Sequence, residues 1–401
     1  MTSFKSVFLY AAFLFVFVSL QAAPSEAQLA AWLKRFPDAD ANKDGVLSLK
    51  EAKAYLKKVQ AARKGQSGKP GSSQRGAQSS FRVDSGWKKA PEFPPHAACY
   101  KTPAELKKMA GVTRFPKQEN GILRLVGTGH SFMAPGYRAL PKICEAAGFN
   151  QPLKLTVSGG VTGSTRYRWE LENGIFQFDG NPRPTLLASI ANAQWDVMTW
   201  GPYFNDQPRY YACWIDYCLK YNPGMKFYLS DAWPQLHQLD ENPKSEADLT
   251  EKVIKKMGAE KRTQFKELVN TLRKDYPDKV FILPTSDAMC LAALSHIRGE
   301  LPGVEGLHKA VGGKERSLWR DRLGHLGPGF DRLEGYVFYA TLYARSPELL
   351  PRDPAFGGDP EFPSPALDKV FRNIAWQAVI NHPLSGVTDK DLDGVGDRYD
   401  N

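Results

Sequence analysis

With 401 residues, 42% of them hydrophobic and 12% aromatic, the chain can bury a full α/β core and still carry smaller modules, which excludes a wholly disordered protein. The formal charge of +10 does not mark a nucleic-acid binder, because many of the Lys and Arg residues lie between Lys57 and Lys89 and no nucleic-acid motif accompanies them. Cys99, Cys144, Cys213, Cys218 and Cys290 are too scattered for a disulfide scaffold or a paired zinc knuckle; one or two disulfides remain open, and a mutual Cys213–Cys218 bridge is disfavoured if both share one helix.

The N-terminus, MTSFKSVFLYAAFLFVFVSLQAAPSEA, has a short polar start with Lys5, an apolar stretch from Val7 to Leu20, and small residues after it. This is a secretory signal pattern over residues 1–22, with cleavage near Ala22/Ala23 or after Ala27. The apolar stretch is short for a bilayer span, which needs about 20 residues. The expectation is a secreted, periplasmic or extracellular protein without stable membrane insertion after cleavage.

Residues 25–62 read as an EF-hand module. In DANKDGVLSLKE, oxygen donors fall at Asp40, Asn42, Asp44 and Ser48, Gly45 makes the sharp turn, and Glu51 stands at position twelve for bidentate binding. Val46 occupies position seven, where such loops use the backbone carbonyl, and Leu47 is the apolar anchor. EAQLAAWLKRF and LKEAKAYLKKVQ supply the flanking helices. Such hands usually work in pairs, so this single loop suits structural calcium better than a calcium sensor.

Residues 63–93 are rich in Gly, Ser, Gln and Lys without periodic apolar positions, and read as a flexible basic linker. From 94 to 386 the composition is globular. Five apolar, β-prone runs recur at 122–129, 153–159, 195–201, 225–233 and 279–287, with helix-period segments between them, such as YRALPKICEAAG and YYACWIDYCLKY. This alternation predicts an α/β fold: a parallel sheet with helices on both faces, in three layers. Chemistry is then expected at the carboxyl ends of the strands. The tail, 387–401, places Asp389, Asp391, Asp393, Asp397 and Asp400 at positions one, three, five, nine and twelve around Gly394, a second spacing suited to calcium. It resembles the acidic calcium loops of thrombospondin type 3 and dockerin modules, with Gly396 replacing the usual apolar anchor.

Ser131 follows the first strand in LVGTGHSFM, where it can serve either as a helix N-cap or as a nucleophile. Candidate partners stand after other strands. Gly159 and Gly160 can turn amide N–H groups toward an anionic oxygen, and Asn205 adds a neutral side-chain donor, the parts of an oxyanion hole. Asp321 and His325 supply an acid to orient an imidazole and a base to take the serine proton. Asp331 and His308 are spare candidates; His96, His130, His237, His296 and His382 lack a motif and read as structural.

In the order and placement of these blocks, residues 120–346 resemble the SGNH hydrolase superfamily, the GDSL-type esterases and lipases. Gly129-His130-Ser131 is similar to the first block, with histidine where aspartate is commoner. Gly160 (or Gly159) is similar to the second block, Asn205 to the third, and Asp321 with His325 to the last, spaced four apart instead of three. On a helical turn those offsets share a face, whereas on an extended loop the pair would not survive unchanged. The resemblance implies nucleophile Ser131, base His325, orienting Asp321, oxyanion donors Gly160 and Asn205, and no catalytic cofactor.

Trp169, Phe176, Phe178, Trp200, Tyr203, Phe204, Tyr210, Tyr211 and Trp233 cluster near these blocks; most are expected to be core, since aromatics dominate interiors, while any at the mouth would present flat faces suited to sugar rings. The expected activity is removal of acetyl or other acyl groups from an extracellular carbohydrate or small ester. The alternative is a carbohydrate-binding or cell-surface protein that keeps the hydrolase scaffold without chemistry. Oligomeric state is not legible.

Overall fold

The structure is a computed structural model that describes residues 29, 30, 33, 37–55, 115, 121–157, 186–201 and 208–399. Residues 1–22, expected as a signal segment, and 63–93, expected as a linker, lie outside the described residues. The chain divides into two compact units, Met1–Ala77 and Gln78–Asn401.

In the N-terminal unit, Leu47 packs with Ala39 and Ala52 in a small apolar cluster, and a helix runs over residues 49–55. Gly45 takes φ +81°, the left-handed turn that a calcium loop needs at its sixth position.

The second unit holds a five-stranded parallel sheet: β1 (Leu125–Gly129), β2 (Leu153–Val157), β3 (Val197–Trp200), β4 (Lys226–Ser230) and β5 (Val280–Leu283). Their order is β2-β1-β3-β4-β5, the doubly wound arrangement in which the chain reverses its winding between β1 and β3. Around the sheet lie α1 (Ala134–Ala146), α2 (Leu186–Asn192), α3 (Pro208–Tyr221), α4 (Glu251–Asp275), α5 (Thr285–Ile297), α6 (Phe330–Tyr343) and α7 (Pro365–Ile380).

Alternate strand side chains enter two separate cores, because successive residues of a strand face opposite sides. Leu125, Val197, Tyr228 and Leu283 join α1, α5, α6 and α7 on one face. Val126, Met198, Phe227, Leu229 and Ile282 join Trp214 of α3 and Phe265, Leu268 and Leu272 of α4 on the other. β1 and β3 are buried along their whole length and read as continuous apolar runs, while edge strand β2 is half-buried at Leu153–Leu155; all five strands fall inside the segments picked from sequence. Full burial of each such side chain stabilises by about 1.5–3 kcal/mol, and dozens of them set the scaffold.

Two features differ from the sequence expectation. The run expected as strand to residue 287 ends at Leu283, and Thr285 begins α5. That helix is buried nearly all round, so it carries no amphipathic period to betray it. A second, two-stranded parallel sheet, β6 (Gly306–His308) with β7 (Ser317–Trp319), stands apart from the main one.

Candidate active site

Ser131 lies one residue beyond His130 at the carboxyl end of β1, beside the switch point of the sheet. The turn closes with Met133 N donating to the His130 carbonyl at 3.0 Å, and Met133 is the N-cap of α1. That cap has no side-chain hydrogen bond, so Ser131 is not the residue that caps the helix. Met133 sits where strand ends converge: a Cβ on Gly129 would lie 2.7 Å from its side chain and one on Gly201 2.5 Å. Only glycines at the ends of β1 and β3 leave the turn this tight.

Ser131 Oγ instead lies 2.8 Å from His325 Nε2, across 194 positions of sequence. On the other side of the ring, Nδ1 lies 2.9 Å from Asp321 Oδ2 and 3.0 Å from Oδ1. The four-residue offset, left open in the sequence between a helical turn and an extended loop, is met by a tight turn. Gly324 N donates to the Asp321 carbonyl at 2.8 Å, Gly324 takes φ +87°, and Asp321 Oδ1 accepts Leu323 N at 3.1 Å and His325 N at 3.3 Å. An aspartate that hydrogen-bonds its own following backbone is a standard way to fold such a turn. Partial burial pushes the Asp321 carboxyl up, but the His325 charge and the bonds from its backbone and ring outweigh this, leaving the acid below its usual value.

A carboxylate on Nδ1 holds the proton there and leaves Nε2 to accept one from the serine. The imidazole is walled by aromatics: Phe132 meets it edge-on with centroids 5.0 Å apart and stacks on Trp233 at 4.6 Å. Its side chain is 15% exposed, whereas Asp321 is 41% exposed.

Sequence reading missed Phe132 and Glu334. Glu334, on α6, is fully buried and accepts Gly136 N of α1 at 2.8 Å, tying the helix behind Ser131 to α6. Burial holds its carboxyl well above the ordinary range. Of the aromatic cluster, Trp200, Tyr211 and Trp233 are buried in the cores, as expected for most of its members, and are not open to a sugar. Trp169, Phe176, Phe178, Tyr203, Phe204 and the side chain of Tyr210 lie outside the described residues, as do Gly159, Gly160 and Asn205. Of the spare candidates, His308 is buried, its basicity lowered by that burial, and Asp331 sits in the first turn of α6.

Asp231 directly follows β4 and is wholly buried. Its Oδ1 accepts Ser286 N at 2.8 Å and Thr285 Oγ1 at 3.1 Å, holding the start of α5, while Oδ2 has no hydrogen-bond partner. Desolvation, helped by nearby Asp287, pushes this carboxyl far above its usual value. A folded-state pKa raised in this way makes the native state bind more protons than the unfolded chain. Its stabilising contribution is therefore complete below the ordinary carboxylate value near ~4 and lost as pH rises through the raised one. The expected result is that Asp231→Asn removes part of the fall in urea midpoint between pH 4 and neutrality. A wild-type minus Asn difference that stays constant with pH would rule it out.

The two acidic loops differ. In the N-terminal one, Asp40 accepts Lys43 N (2.8 Å) and Gly45 N (2.9 Å), Asp44 accepts Val46 N (2.8 Å), and Glu51 accepts Asn42 N (3.3 Å) and Ser48 Oγ (2.6 Å). Among the described residues, only Asp389, Asp391 and Asp393 bring three carboxylates together, with one oxygen of each within 4.8 Å of the others, a group able to hold a divalent cation. Asp397 does not join them; it accepts Lys390 N at 2.9 Å and Thr388 Oγ1 at 2.7 Å. Asp400 lies outside the described residues.

The four described cysteines, Cys144, Cys213, Cys218 and Cys290, are buried and unbridged. Burial pushes the thiols of Cys144, Cys218 and Cys290 up, so these are inert packing groups, and the disulfides that export would permit are not found among described residues. Cys99 lies outside the described residues. No described helix is long and apolar enough to cross a membrane. A cavity of about 420 Å³, lined by Arg124, Asp196, Lys226 and Arg398 among others, opens at the amino ends of β1, β3 and β4, the far end of the sheet from Ser131.

No family model and no curated protein matches the chain. Among solved structures it is similar to a DUF4886 family protein from Bacteroides uniformis, 16% identical with a TM-score of 0.43, over 65% of this chain and 95% of that one. It is also similar to a lipase from a goat rumen metagenome, 11% identical with a TM-score of 0.28, over 54% of this chain and 96% of that one. What the chain does has to be read from the site itself.

Proposed function

We propose that the α/β domain is a serine-dependent carboxylic ester hydrolase of SGNH type. The observation that carries the reading is the continuous line Ser131 Oγ, His325 Nε2, His325 Nδ1, Asp321, with heavy-atom separations of 2.8 and 2.9 Å, at the carboxyl end of a parallel sheet. In this reading Ser131 Oγ attacks the ester carbonyl carbon while His325 takes its proton. His325 then returns that proton to the departing alcohol, and water releases the acid from the acyl-enzyme by the same route in reverse. Asp321 keeps the productive tautomer and balances the imidazolium. The Ser131 and Gly160 amides and the Asn205 side chain are the proposed oxyanion donors.

The proposed substrate is an acetyl or other short acyl ester on an extracellular carbohydrate. The secretory pattern of the N-terminus and the calcium-type loop at Asp40–Glu51, proposed to bind structural Ca2+, favour a substrate met outside the cell. A fluorophosphonate probe followed by peptide mass spectrometry tests the assignment. Labelling at Ser131 together with hydrolysis of p-nitrophenyl acetate is expected. Retention on a glycan column with neither labelling nor hydrolysis would replace the enzyme with a binding protein.

A further inference from the structure

The cavity of about 420 Å³ at the amino ends of β1, β3 and β4 has the size of a small-molecule site, and ester hydrolysis at Ser131 does not use it. Part of its lining is already paired. Arg124 gives Nη2 and Nε to the Asp196 carboxylate at 2.7 and 2.8 Å and Nη1 to Gln194 Oε1 at 3.2 Å, while Asn222 Oδ1 accepts Trp195 N at 2.8 Å. The carboxylate and amide acceptors of the lining are therefore engaged, and the remaining polar groups are chiefly donors. Two of these are cations: Lys226, the first residue of β4, and Arg398, in the short turn Asp397–Tyr399. Lys226 Nζ lies 5.6 Å from the Phe281 ring centroid, and the Arg398 guanidinium lies 5.0 Å from that of Tyr399 while Nη2 donates to the Leu342 carbonyl at 3.2 Å. Among the described residues, neither meets a carboxylate in an ion pair.

We propose that this cavity binds an acidic sugar unit, a ring carrying a carboxylate or sulfate group, with Lys226 and Arg398 taking the anion and Tyr221 and Tyr399 bringing aromatic surface to the ring. The inference rests on the carbohydrate part of the proposed function and not on the chemistry of Ser131. Like charges crowd the cavity. Burial first, then the charges of Arg398 and Lys279, hold the Lys226 ammonium below its ordinary value, with Asp278 opposing them. Lys279 itself donates to the carbonyl of Pro223, another lining residue, at 2.8 Å. An anion between these groups turns their mutual repulsion into attraction, and a guanidinium can meet both oxygens of a carboxylate or sulfate. Tyr399 is 53% exposed and Tyr221 half-buried, so both leave ring surface for a sugar. The end of the chain is pinned where it can contribute: Gly396 N donates to the Ala344 carbonyl at 2.8 Å and Tyr399 N to the Gly396 carbonyl at 2.8 Å. A polymer held at this end of the sheet is retained by the protein without its ester group being placed at Ser131.

Titration calorimetry on the full chain tests this with three probes: trigalacturonate, a sulfated galactotriose and neutral galactotriose. At low salt at least one acidic trisaccharide should bind roughly tenfold more tightly than the neutral one, and the preference should shrink as salt rises. Which acidic probe binds separates a carboxylate from a sulfate ligand. Lys226→Gln with Arg398→Gln should weaken that binding roughly tenfold or more, whereas Lys226→Arg should keep it within about threefold. Lys252→Gln with Lys314→Gln removes the same charge from exposed positions outside the cavity and should change nothing. Hydrolysis of p-nitrophenyl acetate should be the same in all these variants. Equal affinity for the neutral sugar, no binding of either acidic probe, or an equal loss in the Lys252 and Lys314 variant would each overturn the proposal. Turnover without acidic-sugar binding removes only this site, and binding without turnover removes only the Ser131 assignment.

Discussion

Ser131→Ala is expected to lower kcat/KM for p-nitrophenyl acetate by roughly 10⁴- to 10⁶-fold while leaving the thermal unfolding transition unchanged. The size follows from the role: without Oγ no acyl-enzyme forms, and what remains is whatever rate the oxyanion donors give to attack by water. The intact fold follows from the geometry. Ser131 does not cap α1, whose N-cap is Met133, and its Oγ faces His325 at 2.8 Å. Asp321→Asn should cost about 10⁴-fold for a different reason, since an amide can present N–H to Nδ1 and so stabilise the wrong tautomer. Because the groups act as one unit, Ser131→Ala with His325→Ala should be hardly worse than Ser131→Ala alone. Turnover above a tenth of the wild-type rate in Ser131→Ala would exclude Ser131 as the nucleophile.

The strands were legible because parallel strands are buried on both faces and so stand out as apolar runs between helix-period segments. α5 was not, since TSDAMCLAALSHI is buried nearly all round and directly continues the apolar run of β5. At the site, the residue types at strand ends were readable, but the local shape of 321–325 stayed open between a helical turn and an extended loop. Asp-Arg-Leu-Gly-His folds as a tight turn, and the glycine three residues after the aspartate was the available signal. Composition could not separate wall from core: Trp200 and Tyr211 stack on each other deep in the sheet packing, whereas Phe132 lines the imidazole. Glu334 was invisible for a deeper reason, because its meaning depends on Gly136, 198 positions away.

The second large effect concerns how His325 is placed. Gly327 lies two residues beyond it in the short hairpin formed with β7. In that hairpin, Gly327 N donates to the Leu318 carbonyl at 2.7 Å and Arg320 N to the His325 carbonyl at 2.8 Å. A Cβ on Gly327 would run into the Ser317 carbonyl oxygen and come within 3.2 Å of the Leu318 oxygen. Both are backbone atoms of the paired strand, so no side-chain rotation relieves the clash and the hairpin must open. Gly327→Ala should therefore cost about 1–3 kcal/mol in stability, as overpacking does, and lower the melting temperature by roughly 3–10 °C. The kinetic effect should be larger in proportion, since displacing a catalytic group by about 1 Å costs around 100-fold. The expected signature is kcat down about 100-fold with KM changed far less, in a protein still folded at 25 °C. Gly357→Ala, where an added Cβ meets nothing within 4 Å, is the matched control and should leave both quantities alone. If Gly327→Ala keeps the wild-type kcat, the hairpin does not set the reach of His325 to Ser131, and that task falls to the Asp321–Gly324 turn alone.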